Sequence, residues 1–167
     1  MPSSVAHGLA AVAVCLSTRP AERPRFYAAA ALGTVLLDVD AIGRPFGLGD
    51  IEWLGGHRAL THGLPFAAAL ALGTLAVVAR GANSAGHRLG VWTSLFCAYA
   101  LHGVLDAATT YGDGVMFLAP FWTWRYKAAW QPFHGVLPEV VGVWVPSLAV
   151  IWYGARRRAD AIRPARA

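Results

Sequence analysis

GLPFAAALALGTLAVVA, residues 63–79, is a run of seventeen residues without a charge. As an α-helix it spans about 26 Å, close to the roughly 30 Å of a bilayer's hydrocarbon core. Thr61 stands where a helix cap is expected and Pro65 falls in the first turn. Four further apolar runs surround it. Leu89 to about Leu105 is interrupted only by His102 before Asp106. Val136–Tyr153 carries Glu139 near its start and Pro146 inside, a proline that a membrane helix tolerates with a kink. Val5–Leu16 and Phe26–Leu37 are shorter and Ala-rich. They are expected to pack against the longer helices or to cross at an angle. The pattern predicts an all-α, polytopic membrane bundle of about five main helices.

Composition agrees. Of 167 residues, 56% are apolar and 14% charged, against roughly 25% charged in an average soluble domain. A disordered chain and a nucleic-acid-binding tail are both disfavoured, and no direct nucleic-acid partner is expected. The excess apolar area exceeds what one small core hides, so a lipid bilayer is the expected second solvent. Cys15 and Cys97 lie inside apolar runs and are expected to be buried free thiols. No Lys or Arg precedes the first run, and Arg19 follows it. A secretory signal has the opposite order, so the run is read as mature protein.

Charge sorts the connecting segments into two classes. Segments 17–25, 80–88 and 154–167 hold ten of the fourteen basic residues, with only Glu22 and Asp160 against them. The N-terminus, 38–62 and 106–135, with the helix ends facing them, hold seven of the nine acids. Basic loops stay in the cytoplasm. The expected topology is therefore five crossings with the N-terminus outside and the C-terminus inside. The segment 121–130 (FWTWRYKAAW) mixes rings with cations, which suits a lipid headgroup layer or packing of a long loop onto the helices.

Five histidines, His7, His57, His62, His102 and His134, belong to the acidic side, while His87 lies in a basic loop and is expected to be solvated. His102 and Asp106 are four apart, on one helix face about 6 Å apart at Cβ, and can hold one ion. Thr109 and Asp113 extend that stripe at helical spacing. Asp38-x-Asp40 follows the second run, and His57 and His62 are five apart, suiting a loop that closes onto an ion. His7, Asp38, Asp40, His57, His62, His102 and Asp106 are all placed at same-side helix ends. They are expected to converge in one polar pocket at one membrane face. Imidazole with carboxylate suits zinc, with manganese or iron as alternatives.

These motifs resemble a known family. Val5-Ala6-His7-Gly8, Leu36-Leu37-Asp38-Val39-Asp40, His57-Arg58-x-x-Thr61-His62 and His102-x-x-x-Asp106-x-x-Thr109-x-Tyr111-Gly112 are similar to the bacterial inner-membrane metal-dependent hydrolases, also described as LexA-binding. That family is thought to be distantly similar to zinc-dependent phospholipase C and P1-type nucleases, which are all-helical. The resemblance spans roughly residues 3–155. Leu37 stands where the family often has proline, and Gly63 where it often has serine. His134 and Glu139 are five apart, so one or two ions fit better than three. The resemblance implies a membrane-bound hydrolase of the bacterial inner membrane, acting on a small or lipid-like anionic phosphoester through a metal-activated water. Asp38 or Asp40 would orient the water and Arg58 would meet the anion. The alternatives are a membrane protein that binds metal or haem without hydrolysis, and a structural protein whose polar cluster joins helices. The hydrolase-like domain is expected over residues 1–155, with 156–167 a disordered basic cytoplasmic tail.

Overall fold

The computed structural model describes residues 3–79 and 84–162. Five helical rods occupy the five apolar runs. They are α1 (Ser4–Thr18), α2 (Pro24–Leu37), α3 (Leu64–Val78), α4 (Ala85–Ala107) and a last rod. That rod begins as α5 (Val136–Glu139), widens into a π-helical segment (Val140–Trp144) and continues as α6 (Val145–Ile162). The wider turns immediately precede Pro146, whose missing N–H disrupts the regular ladder. The described residues form no extended strand; two isolated bridges, Thr109 with Phe133 and Val115 with Tyr126, pin the loops. The all-α expectation holds.

The chain starts its helices differently from the simple sequence expectation in one place. Thr61 does not cap α3, whose N-cap is Gly63, without a side-chain hydrogen bond and with Pro65 in the first turn. The Thr61 hydroxyl is drawn to Asp40 instead, where a buried carboxylate is the stronger acceptor. Ser3 and Ser84 do cap α1 and α4 through the backbone N–H groups of Ala6 and His87.

Small residues set the packing. α1 lies against α2, α4 and α6, and its buried face is Ala6, Ala10, Ala11, Ala13 and Cys15. Gly33 of α2 faces the Tyr99 ring so closely that an added Cβ would sit 2.2 Å from Tyr99 Oη. That hydroxyl donates to Ala29 O at 3.1 Å and lies 3.1 Å from Thr74 Oγ1, joining α2, α3 and α4. Gly33→Val is expected to destabilise the bundle by about 1–3 kcal/mol through overpacking. Thermal melting of the detergent-purified variant checks this.

Much apolar surface faces outward. Leu32, Val35 and Leu36 of α2, Leu72 of α3, and Leu148, Trp152 and Tyr153 of α6 are exposed. The rod over Val136–Ala159 is 24 residues long and is the one described helix both long and apolar enough to cross a membrane. α1 and α3 are apolar but 15 residues each. Cys97 departs from expectation, being exposed on the outer face of α4, whereas Cys15 is buried; both are free thiols.

The five rods alternate in direction, so every second junction falls at one side. The starts of α1, α3 and α5 and the finishes of α2 and α4 meet at the acidic end. Arg19, Arg23, Arg25, Arg88 and Arg156–Arg158 lie at the opposite end, while Arg80, Arg163 and Arg166 fall outside the described residues. Residues 156–162, assigned to the basic tail, continue α6 as helix, and Arg156 lies 3.7 Å over the Trp152 ring.

Candidate metal centre

At the acidic end, α2 stops and the chain tightens into a 3-10 turn, Asp38–Ala41. A second such turn, Leu60–His62, leads into α3. His102 and Asp106 project from the last two turns of α4, and His7 from the first turn of α1. Gly103 lets the turn and α4 approach: an added Cβ would lie 3.1 Å from the His62 carbonyl.

Four donor atoms define the centre: Asp38 Oδ1, His62 Nε2, His102 Nε2 and Asp106 Oδ2. His62 Nε2 is 3.5 Å from Asp38 Oδ1, 3.2 Å from Asp106 Oδ2 and 3.2 Å from His102 Nε2. His102 Nε2 is 3.3 Å from Asp38 Oδ1 and 3.8 Å from Asp106 Oδ2. Bonds of about 2.0–2.2 Å to a zinc-like ion at tetrahedral angles place donors about 3.3–3.6 Å apart. The five separations bracket that edge length. Asp38 Oδ1 and Asp106 Oδ2 are buried without a hydrogen-bond partner, which a structural polar cluster would leave at a cost. The four residues fit one divalent cation.

The charge balance points the same way. Asp38, Asp40 and Asp106 are three carboxylates, the last two fully buried and the first with a side chain 14% exposed. The arginine or lysine that touches them is Arg58 alone among the described residues. Two negative charges are left over, the charge a divalent ion carries. Without an ion, a proton on His62 answers part of it. Burial pushes the His62 imidazole down, but Asp106, Asp38 and Asp40 together raise its pKa to about 10. Burial likewise works against the Asp38 charge, yet the close approach of the His102 and His62 imidazoles holds that carboxyl well below the usual range.

Asp40 has a different place from the one its motif suggested. Its Oδ1 takes the His57 Nδ1–H at 2.8 Å. Its Oδ2 takes the Arg58 N–H at 3.2 Å and the Thr61 hydroxyl at 2.6 Å, and lies 3.3 Å from His62 Nδ1. With both oxygens engaged, Asp40 fixes His62 so that Nδ1 carries the hydrogen and Nε2 faces the four-donor centre. A carboxylate behind a ligating histidine is the usual outer support of a metal. Asp40, His57 and His62 also lie close enough to form a second three-donor group. Its donors already bond one another, so His57 is placed as support, with Nε2 buried and unpartnered.

Arg58 is neither a solvated loop charge nor open to an anion. It is 2% exposed and holds φ +65°, the left-handed region, rare for a long side chain. Its guanidinium donates to Asp106 Oδ1 at 3.2 Å, to Thr109 Oγ1 at 3.2 Å and to the carbonyls of Asp106 and Tyr111. It caps the end of α4 and turns Asp106 so that Oδ2 faces the centre. α4 ends at Ala107, so the supposed stripe breaks there: Thr109 serves Arg58 and Asp113 is exposed in the loop.

His7 joins the pocket without joining the four donors. Its ring stacks on His102 at 3.6 Å, and Nε2 lies 3.5 Å from Asp106 Oδ1. His134 is exposed and apart, and His87 pairs with Glu22 at 3.4 Å at the other end. Glu139 turns away, accepting from Ser3 and the Trp144 indole. Sequence reasoning missed the buried role of Arg58. Its position between the two histidines was the available signal, but nothing local shows which way a loop arginine turns.

The chain matches the family model described as YdjM inner membrane protein over residues 2–162. It is 30% identical over 182 residues to the inner membrane protein YbcI of Escherichia coli (strain K12), covering 95% of this chain and 100% of that relative. No solved structure matches.

Proposed function

The chain belongs to the YdjM inner membrane protein family, and from that premise we propose that it is a multi-pass, metal-dependent hydrolase of the bacterial inner membrane. The observation that carries this reading is the set of four donor atoms spaced as the edges of one coordination shell, two of them orphaned carboxylate oxygens. Zinc is the first choice for two imidazoles and two carboxylates, with manganese or iron as alternatives.

His62, His102 and Asp106 are the fixed donors, each at most 4% exposed. Asp38 stands at the edge, the one donor that solvent or substrate meets. A bound ion supplies a water of lowered pKa and polarises the scissile group. Asp38 holds that edge of the pocket and Asp40 orients His62. Arg58 carries the counter-charge for Asp106 and is a positioning residue. The substrate we assign is a small or lipid-like phosphoester reaching Asp38 from the membrane side. Metal analysis of detergent-purified protein, followed by assays on chromogenic phosphomonoesters, phosphodiesters and carboxyl esters, tests the reading. A folded protein that takes up no metal and cleaves none of them would leave the cluster a structural one.

Haem ligation does not suit this geometry. Two imidazoles on opposite faces of one iron need Nε2 atoms about 4 Å apart, from two bonds of about 2.0–2.1 Å, whereas His62 and His102 stand at 3.2 Å.

The proposed topology puts the acidic end outside. Ser84→Cys, at the start of α4, is expected to react with a membrane-impermeant thiol reagent only after the cells are opened, in a Cys97→Ser background. Labelling from outside intact cells would reverse the orientation.

Asp40→Asn keeps shape but weakens the support of His62. Metal affinity is expected to fall about 10–100-fold, as for other outer supports of ligating histidines. Competition with a fluorescent chelator measures it.

A further inference from the structure

The metal centre sits beneath two loops, residues 42–56 and 116–135, which carry large rings outward. Phe46 and Trp53 lie on the first, and Phe121, Trp122, Trp124 and Trp130 on the second. Trp53 is 82% and Phe121 83% exposed. These are not loose tips. Met116 N–H donates to Arg58 O at 2.9 Å, Leu64 N–H to Phe117 O at 2.7 Å, and Ala128 N–H to Ala107 O at 2.9 Å. The rings are thus carried on a frame tied to the helix ends that hold the metal donors.

The two loops carry little net charge. Arg44, Arg125 and Lys127 stand against Asp50 and Glu52, a net of +1, and Asp113 lies just before the second loop. Arg44 pairs with Asp50. Arg125 donates to the carbonyls of Gly55, His57 and Gly114, and Lys127 to those of Thr110 and Gly112. Arg44 and Lys127 stay exposed and Arg125 is half-buried, but each cation already has an acceptor within the protein, and the large rings stand out beside them. Exposed apolar residues also flank the loops in sequence: Leu36 and Ile42 before Phe46, and Val136, Leu137 and Val141 after Trp130, the last three on the longest apolar rod.

We infer that the two loops form an aromatic collar seated in the headgroup and glycerol layer of the bilayer, and that it engages neutral, zwitterionic phospholipid without needing anionic lipid. Tryptophan and tyrosine favour that layer because their rings are apolar and their edges polar. An anionic surface would instead be met by a cluster of basic side chains whose donors are not already engaged within the protein. The inference stands on the loops and is independent of whether a metal binds below them.

The test uses the full chain in vesicles. Trp124→Cys, and separately Trp53→Cys, each with Cys97→Ser, are labelled with bimane and reconstituted in pure phosphatidylcholine. Expected is strong quenching by phosphatidylcholine carrying a nitroxide near the glycerol, and little quenching by iodide present on both faces. Added phosphatidylglycerol and raised salt should change neither. Two positions on different loops guard against one variant that misfolds. Labels open to iodide and untouched by the lipid nitroxide would overturn the collar. So would labels shielded from both quenchers, which would mean burial against protein. Protection that appears only with phosphatidylglycerol would replace it with an electrostatic surface.

Discussion

His102→Ala is expected to leave the purified protein with less than a tenth of the metal carried by the wild type, and with no measurable hydrolysis. Four donors enclose the centre, and His102 Nε2 makes three of its close separations, to Asp38, His62 and Asp106. Changing a support behind a ligand costs about 10–100-fold in affinity or activity, and removing a ligand itself costs more. Asp106→Asn should act similarly, because the amide keeps the shape but loses the charge that faces the ion. Elemental analysis of detergent-purified protein reads the first effect, and the ester panel the second. The helices should remain inserted, since His102 lies at the end of α4 and not in the packed middle of the bundle around Leu95 and Tyr99. Unchanged metal content in both variants would remove the centre from consideration. Loss of thermal stability in both, from a wild type that carries no metal, would make the cluster a helix-packing device.

Arg58→Ala is expected to destabilise the whole acidic end by about 3–5 kcal/mol, the typical cost of removing one partner from a buried ion pair. The guanidinium binds Asp106 twice, through side chain and carbonyl, and also Thr109 and Tyr111. Its loss leaves the buried Asp106 carboxylate without its counter-charge and removes one donor each from the Asp106 and Tyr111 carbonyls, which keep only Thr109. Arg58→Lys should recover little, because an ammonium cannot present several donors in one plane. Thermal melting followed by size-exclusion chromatography measures the change. Metal binding should weaken alongside it, and excess zinc should restore part of the melting temperature, as a ligand that binds only the folded state does. A melting temperature unchanged in Arg58→Ala would show that the guanidinium is not the clamp described.

The seven metal-site residues marked in the sequence do meet at one end, because helices that alternate in direction bring every second junction to one level. His102 and Asp106 were legible as a pair, since four residues on a helix return to the same face. The ranking within the seven was not legible. Asp38 and Asp40 look equivalent in the chain. Only the tight turn after α2 sends Asp38 towards His62 and His102, and Asp40 towards His57 and Thr61. The stripe beyond Asp106 was misread because periodicity does not show where a helix stops. α4 stops at Ala107, where Arg58 donates to the Asp106 carbonyl.

Local chemistry by itself therefore determined the helices, their number and the side on which the acids and histidines gather. Apolar runs, helix-breaking junctions and charge asymmetry act over a few residues and need no partner. Tertiary structure decided which donors face one point, which residue supports which, and where the one buried arginine turns. Those outcomes depend on contacts between residues about 50 apart in the chain, such as Arg58 with Asp106. A side chain's burial energy is set by whatever surrounds it in space, and its own stretch of sequence does not contain that.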